Sequence, residues 1–270
     1  MRRRPPKTPF HDYGHARDFD QRAAKSEFRV RLGAWLTDAL ELEGDEWILD
    51  IATGTGRFAR PVAGHLKAGR IVGLDEALAM LRVAREQAEK EPIPGYLRAA
   101  GVAQALPFRE GVFDRAFVAL SLHHFGDPPR MVRETRRVLR SGGKLVVLDP
   151  VLLEPKDSLD RALHELINRI FRRSHGDDFR FHTAEEIRGL VAGEGLRIAR
   201  ADLHAVSFDA ENMEGIPTGR HWLEVAAEMR GEAPEMRARF EQSYLRYGDA
   251  GPKPRFTGTL SFSLVCGKKS

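Results

Sequence analysis

The sequence predicts an α/β fold: a Rossmann-like, doubly wound, mostly parallel seven-stranded sheet, with helices on both faces and helical cover inserts. Three observations carry this. Short apolar runs alternate with amphipathic helical segments between 47 and 150. A glycine-rich turn at Gly54 and Gly56 follows the first apolar run directly. The 270 residues are 42% hydrophobic and 30% charged, an ordinary globular balance with enough apolar material for one large core.

The elements follow in chain order. Phe28, Leu32, Trp35, Leu36 and Leu40 recur at helical spacing and predict one helix over 11–42, stopped by Gly44 and Asp45. Strands are expected at 47–51, 71–74, 97–101, 115–119 and 144–148. Ala77, Met80, Leu81, Ala84 and Ala88 line one helical face between the second and third. Met131, Thr135, Val138 and Leu139 do so between the fourth and fifth, where Gly142-Gly143 ends the helix. Beyond Pro150 the rhythm changes. Leu159, Leu163, Leu166, Ile170 and Phe171 make a broad apolar stripe. Thr183, with Glu186 three residues on, is a capping box. Strands are expected at 196–208 and 260–266. Between them, Trp222, Leu223, Val225, Ala226 and Met229, then Met236, Phe240, Tyr244 and Tyr247, form two further helical stripes.

Composition narrows the setting. The single cysteine, Cys266, has no partner for an internal disulfide, and no Cys/His group has zinc spacing, so no metal is expected. The basic start, 1–7, leads into no apolar segment, which speaks against a secretory signal. No run reaches the ~20 apolar residues of a membrane span. A cytoplasmic location is the expectation. Net charge is +4 and the pI about 9.3, but arginines interleave with acids, as in Arg82-Val83-Ala84-Arg85-Glu86. No nucleic-acid partner is expected.

The chemistry concentrates at 48–59. A buried strand ends in Asp50, and Thr53-Gly54-Thr55-Gly56 then opens a helix. From Gly54 the pattern is G-x-G-x-x-A, which also fits a dinucleotide site. Asp50 favours a methyltransferase over a nicotinamide enzyme. A carboxylate four residues before Gly54 suits the amino-acid end of S-adenosylmethionine better than a pyrophosphate, which seeks helix N–H groups. Asp75, twenty-one residues after Gly54, ends the second strand, where a carboxylate can hold ribose hydroxyls.

The ordered set of motifs resembles the class I S-adenosylmethionine-dependent methyltransferases, in the branch of the ubiquinone/menaquinone-biosynthesis C-methyltransferases. Its members here are Leu49-Asp50-Ile51-Ala52-Thr53-Gly54-Thr55-Gly56, Val72-Gly73-Leu74-Asp75 with Met80-Leu81, Ala105-Leu106-Pro107-Phe108, Phe113-Asp114, Leu122-His123-His124-Phe125, and Arg137-Val138-Leu139-Arg140-Ser141-Gly142-Gly143-Lys144-Leu145. The resemblance covers 48–149. It implies that Asp50, Thr53, Gly54, Thr55 and Gly56 wrap the methionine part and that Asp75 binds ribose. Glu76, Met80, Val102 and Ala103, with Gln104 as a substitute acceptor, would surround adenine. Ala119, Leu120 and Ser121 would pass near the sulfonium. The family's first turn glycine is Ala52 here, and the acid expected after the third strand is Val102.

The resemblance also implies one methyltransferase domain over 1–270. Its parts are an N-terminal helical lid (1–46), a cofactor-binding core (47–150), helical substrate-cover inserts (151–182 and 209–258), and the remaining helix and strands (183–208 and 259–270). His123 and His124, after the fourth strand, are candidate bases for removing an acceptor proton, and Asp149, ending the fifth, is another. Tyr13 and Phe19 are placed to fold over the cofactor, although Ser26-Glu27 stands where the family has Tyr-Asp. His175, His182, His204 and His221 are scattered through the cover segments and read as surface or satisfied residues. The expected activity is methyl transfer to a small, fairly hydrophobic acceptor, with a homodimer compatible. The alternatives are a nicotinamide oxidoreductase, a non-catalytic S-adenosylmethionine-binding protein and an RNA methyltransferase.

Overall fold

The computed structural model describes residues 9–24, 26–211, 213, 216, 218–248 and 255–270. Two helices come first, α1 (Tyr13–Ala24) and α2 (Glu27–Leu40). The repeating core follows: β1 (Trp47–Ile51), α3 (Ala59–Ala63), β2 (Arg70–Asp75), α4 (Leu78–Lys90), β3 (Tyr96–Ala100), β4 (Phe113–Ala119), α5 (Pro128–Val138) and β5 (Leu139–Leu152). The remainder is α6 (Ser158–His175), β6 (His182–Thr183), α7 (Ala184–Gly193), β7 (Arg197–Ala210), α8 (Gly219–Glu228), α9 (Pro234–Ser243), β8 (Leu245–Gly248) and β9 (Arg255–Lys268).

The strands form one sheet ordered β3-β2-β1-β4-β5-β9-β7, with β6 beside β5 and β8 beside β9. Strands β1 to β5 are parallel, and β9 runs antiparallel between β5 and β7. Seven strands on the main path match the sequence expectation, and two short ones add to it. The chain order reverses between β1 and β4, the position where open α/β sheets gather ligands at the carboxyl ends of their strands.

Alternate residues of each central strand enter opposite cores. Ile48, Phe117 and Val146 pack with Leu36 of α2, Val62 of α3 and Ile170 of α6. Leu49, Val118 and Val147 pack with Met131 of α5 and with Ile187 and Val191 of α7. This two-sided burial is why β1 and β4 read as continuous apolar runs. The Thr183 capping box forms as expected: the Thr183 hydroxyl accepts from Glu186 N, and the Glu186 carboxylate accepts from Thr183 N at 2.9 Å.

Three expectations are corrected. The helix over 11–42 is two helices, because Ser26 is extended (φ −89°, ψ 106°) and starts α2 anew. Helix α5 ends at Val138, before Gly142-Gly143, and β5 begins at Leu139; Gly142 supplies a left-handed turn (φ 76°) inside it. The last helical stripe stops at Ser243, and 245–248 pairs with β9 instead. Gly258 permits that crossing, since a Cβ there would lie 2.3 Å from the Tyr244 carbonyl.

Candidate functional site

Strand β1 delivers Asp50 to the sheet's switch point. Its carboxylate is 2% exposed and takes a 2.6 Å hydrogen bond from Thr53 Oγ1. Burial pushes it well above the ordinary carboxylate range; the Thr53 bond opposes that and nearby Asp75 adds to it. The turn doubles back through three left-handed residues, Ala52 (φ 57°), Gly54 (φ 56°) and Gly56 (φ 78°). Ala52 occupies the family's first glycine position and carries the strain of a Cβ there. Gly73 of β2 makes the turn possible, because a Cβ would stand 2.7 Å from Thr53 Oγ1.

Asp75 fixes the other side. One carboxylate oxygen accepts from Gly54 N at 2.8 Å and the other from Ala77 N at 2.9 Å. Burial raises its pKa, and these two N–H groups hold it back. Asp75 thereby ties the end of β2 to the glycine turn, with lone pairs left over. Met80 is buried on α4, Glu76 is exposed, Ala103 is buried and Gln104 is half-buried. Val102, where the family places an acid, is 41% exposed.

The turn is suited to the amino-acid end of S-adenosylmethionine. Thr55 Oγ1 is buried without a hydrogen-bond partner, and Asp50 keeps acceptor capacity toward the crevice. An ammonium and a carboxylate would satisfy both kinds of group. The protein also supplies a cation, Arg29 of α2. It lies half-buried over the rings of Phe19 (5.1 Å) and Phe58 (5.9 Å) and makes no ion pair among the described residues. Burial lowers its pKa to about 10; Arg57 adds to this and Asp20 opposes it.

The N-terminal segment closes over this region. Phe10, Tyr13 and Phe19 pack with Ala16 against Met80 and Val83 of α4. Tyr13 Oη donates to Glu86 at 2.7 Å, with the Arg82 guanidinium 4.2 Å from the Tyr13 ring centre. Arg57, next to Gly56, grips Asp20 of α1 with Nε and Nη2, each at 2.7 Å. The sequence suggested Tyr13 and Phe19; Asp20, Arg29 and Arg57 gave no motif to find them by.

On the far side of the switch point, Ala119, Leu120 and Ser121 leave β4. Leu120 is left-handed (φ 55°), an uncommon conformation for a branched residue. It aims the chain into a short 3-10 turn, Leu122–His124. Asp149, at the carboxyl end of β5, is fully buried. It accepts from Leu122 N and His123 N at 3.2 Å and meets His123 Nδ1 at 2.8 Å. It is buried because β5 runs on past Asp149 and β9 pairs alongside it. Burial raises Asp149 to about 8, against the opposing pull of His182 and the backbone N–H groups. Burial, with His175 nearby, lowers His123 to about 3. The imidazole is therefore neutral, with Nδ1 committed to Asp149 and Nε2 left over.

The cover-segment histidines are also corrected. The rings form a chain: His123 to His124 at 4.3 Å, His124 to His175 at 5.4 Å, His175 to His221 at 4.4 Å. Phe171, Phe179 and Phe181 pack among them, and Phe10 meets His124 at 5.4 Å. Burial holds His124 well below 6.5 and brings His175 to about 4. His182 Nδ1 and His221 Nδ1 are buried without partners. Beyond this cluster, a small cleft lined by Val151, Phe181, Trp222, Tyr244 and Phe262 extends along the ends of β5 and β9. No group of metal-ligating side chains exists among the described residues. No described helix is long and apolar enough to cross a membrane.

Comparison with known proteins adds three findings. Residues 49–147 match the family model of the methyltransferase domain. A demethylmenaquinone methyltransferase of Renibacterium salmoninarum is 30% identical over 188 residues, covering 67% of this chain and 75% of the relative. One of Thermus thermophilus is 37% identical over 118 residues, 43% of this chain and 53% of the relative. The chain thus matches about half the length of that relative. In three dimensions it resembles a putative methyltransferase of Bacillus halodurans (TM-score 0.71, 22% identity, 88% of this chain and 98% of that one). The YcgJ protein of Bacillus subtilis is similar at TM-score 0.69, with the same identity and coverage. With the motifs in order on the expected sheet, these likenesses show that the chain belongs to the class I S-adenosylmethionine-dependent methyltransferases, in the branch of the ubiquinone/menaquinone-biosynthesis enzymes.

Proposed function

We propose that this protein transfers a methyl group from S-adenosylmethionine to a small, largely apolar acceptor with a ring that carries an ionisable hydroxyl. The observation that carries the reading is the pairing of two neighbouring sites at one switch point. One is the Asp50–Thr53 turn, with its unsatisfied Thr55 hydroxyl; the other is the buried Asp149–His123 pair beside a cluster of aromatic and histidine rings.

Asp50 and Thr55 would hold the ammonium end and Arg29 the carboxylate. Asp75 would take the ribose hydroxyls, with Glu76 at their edge. Met80, Ala103, Val102 and Gln104 would enclose adenine, with Tyr13 and Phe19 folded over it. When bound, S-adenosylmethionine supplies a methyl group already activated on sulfonium. What remains for the chain is alignment, exclusion of water and custody of one proton.

His123 Nε2 is the group assigned to that proton. With Asp149 ionised, its carboxylate would accept from Nδ1–H, and Nε2 would then present a lone pair toward the acceptor. Nε2 would take up the acceptor's proton as its nucleophilic atom is methylated, and S-adenosylhomocysteine would be the leaving group. His124 would pack against the acceptor. Phe179, Phe181 and Trp222 suit a flat apolar ring, consistent with the quinone-type substrates in the names of the relatives. We propose further that the chain acts in the cytoplasm and as a homodimer.

Incubation with methyl-labelled S-adenosylmethionine and either 1,4-naphthohydroquinone or an aliphatic amine, read by mass spectrometry, tests this. The reading expects methylation of the hydroquinone and not of the amine. Methylation of the amine alone contradicts it.

A further inference from the structure

Strand β7 ends the sheet and leaves one edge of its ladder open over fourteen residues. Among the described residues, no segment hydrogen-bonds to the backbone groups that face outward from it. Long open edges are usually shortened, charged throughout or covered, because they recruit other strands. Here the middle is neither covered nor strongly charged. Ala201, Leu203 and Ala205 are exposed on one face, and Leu203 is 58% exposed. Arg200, Asp202 and His204 lie on the other face, under α2. A bulge at 198–200 starts the regular edge at Arg200, and it runs on to Ala210.

We infer that this edge pairs with the same edge of a second copy, antiparallel about a two-fold axis through Leu203. The register follows from charge. An axis at Asp202 sets acid on acid, and one at His204 sets imidazole on imidazole. An axis at Leu203 sets Asp202 against His204 of the second copy, twice over, with Ala201 opposite Ala205 and Leu203 beside its counterpart. Within one chain the Asp202 carboxylate already stands 3.8 Å from His204 Nε2, so the two charges across the axis would join an acid–imidazole pair on each side.

Helix α2 agrees with the same axis. It runs antiparallel to β7, with Phe28 against Phe208 (6.3 Å), Trp35 stacked on His204 (3.9 Å, 13°) and Asp38 bonded to Arg200 (2.7 Å). Arg31 and Asp38 are seven residues apart and so share one helical line, on either side of Trp35. A two-fold near Leu203 brings Arg31 of each copy toward Asp38 of the other. The interface is isologous and closes as a dimer, joining two sheets into one. It leaves the glycine turn and the Asp149–His123 pair open.

Light scattering and cysteine cross-linking of the full chain test the inference. The wild type should run at twice 30.3 kDa at micromolar concentration. Leu203→Arg should run as a monomer and bind S-adenosylhomocysteine as the wild type does. On mild oxidation Leu203→Cys should form a covalent dimer, and Ala205→Cys should not. Cys266, the chain's other thiol, is buried. A wild-type monomer, a dimer indifferent to Leu203→Arg, or linkage through Ala205→Cys as readily as through Leu203→Cys would overturn the inference.

Discussion

Asp149 meets three groups of one turn: it accepts from the backbone N–H groups of Leu122 and His123, and it lies 2.8 Å from Nδ1 of the His123 ring. The carboxylate therefore fixes both the path of the turn and the orientation of the imidazole. Replacing it by the amide keeps the shape and reverses the polarity toward Nδ1. Asp149→Asn is expected to lower kcat by about 10²- to 10⁴-fold, the range of a displaced general base, with little change in S-adenosylhomocysteine affinity. His123→Asn should match it. A His123→Asn enzyme with undiminished kcat would remove the base from the mechanism.

Arg57 and Asp20 connect the glycine turn to the N-terminal helix. Asp20 is buried, and three guanidinium contacts at 2.7 Å converge on it, one of them to its carbonyl. Removing one partner strands the other's charge, at a cost of about 3–5 kcal/mol for a buried pair. Asp20→Ala should release α1 from the core. Limited proteolysis then cuts within 9–26 while the remainder resists, and S-adenosylhomocysteine binds more weakly. An unchanged digestion pattern would show that Phe10, Tyr13 and Phe19 hold the segment unaided.

Two turn positions respond oppositely to a methyl group. Ala52 carries a Cβ at φ 57°, so Ala52→Gly should relieve strain of about 1 kcal/mol and raise the Tm by a few degrees. Gly56 sits at φ 78°, and a Cβ there would stand 2.7 Å from Tyr96 Oη. Gly56→Ala should destabilise the fold by about 1–3 kcal/mol. Adding Tyr96→Phe should recover the steric part and leave the backbone part. Denaturant titration of these three variants, of Tyr96→Phe alone and of the wild type separates the two contributions.

Neutral buried histidines make stability pH-dependent. His123 is lowered to about 3, His175 to about 4 and His124 well below 6.5. Their unfolded forms take up protons near 6.5, so the unfolded state binds more protons below that pH. The stability they contribute is complete above about 6.5 and falls as pH drops toward the folded values. Each group contributes at most about 1.4 kcal/mol per pH unit. Asp149, raised to about 8, acts the other way: its contribution is complete below the ordinary carboxylate range and is lost as pH rises through 8. Unfolding free energy should decline between pH 6.5 and 5, where the three histidines outweigh the opposing Asp149 and Asp50, and His175→Gln should flatten the slope by about one proton. A flat profile over that interval would contradict neutral burial.

The parts of this molecule that repeat were legible in the sequence. Alternating strands, the Gly54–Gly56 turn, Asp50, Asp75 and the Thr183 capping box rest on local rules acting over a few residues. The break at Ser26 was hidden because the apolar residues that predicted the helix, Phe28 to Leu40, all lie in α2 and say nothing about where it starts. Strand β8 was hidden because Tyr244 and Tyr247 continue a helical spacing that Gly258 overrides from elsewhere in the chain. His175 and His221 lie 46 residues apart in sequence and meet at 4.4 Å only when α6 and α8 pack together. Arg57 and Asp20 are likewise ordinary charges until α1 folds back. Such pairs are set by tertiary contact, which no spacing rule records.

Calorimetric titration of the wild type and Asp50→Asn with S-adenosylhomocysteine, and of the wild type with NADH, tests the central claim most directly. The wild type is expected to bind S-adenosylhomocysteine at micromolar Kd. Asp50→Asn should lose at least tenfold, the ~1.4 kcal/mol or more of a charge-assisted hydrogen bond, and NADH should give no heat. Binding of NADH instead, or equal affinity in the two proteins, would contradict the assignment of the glycine turn as the site of S-adenosylmethionine.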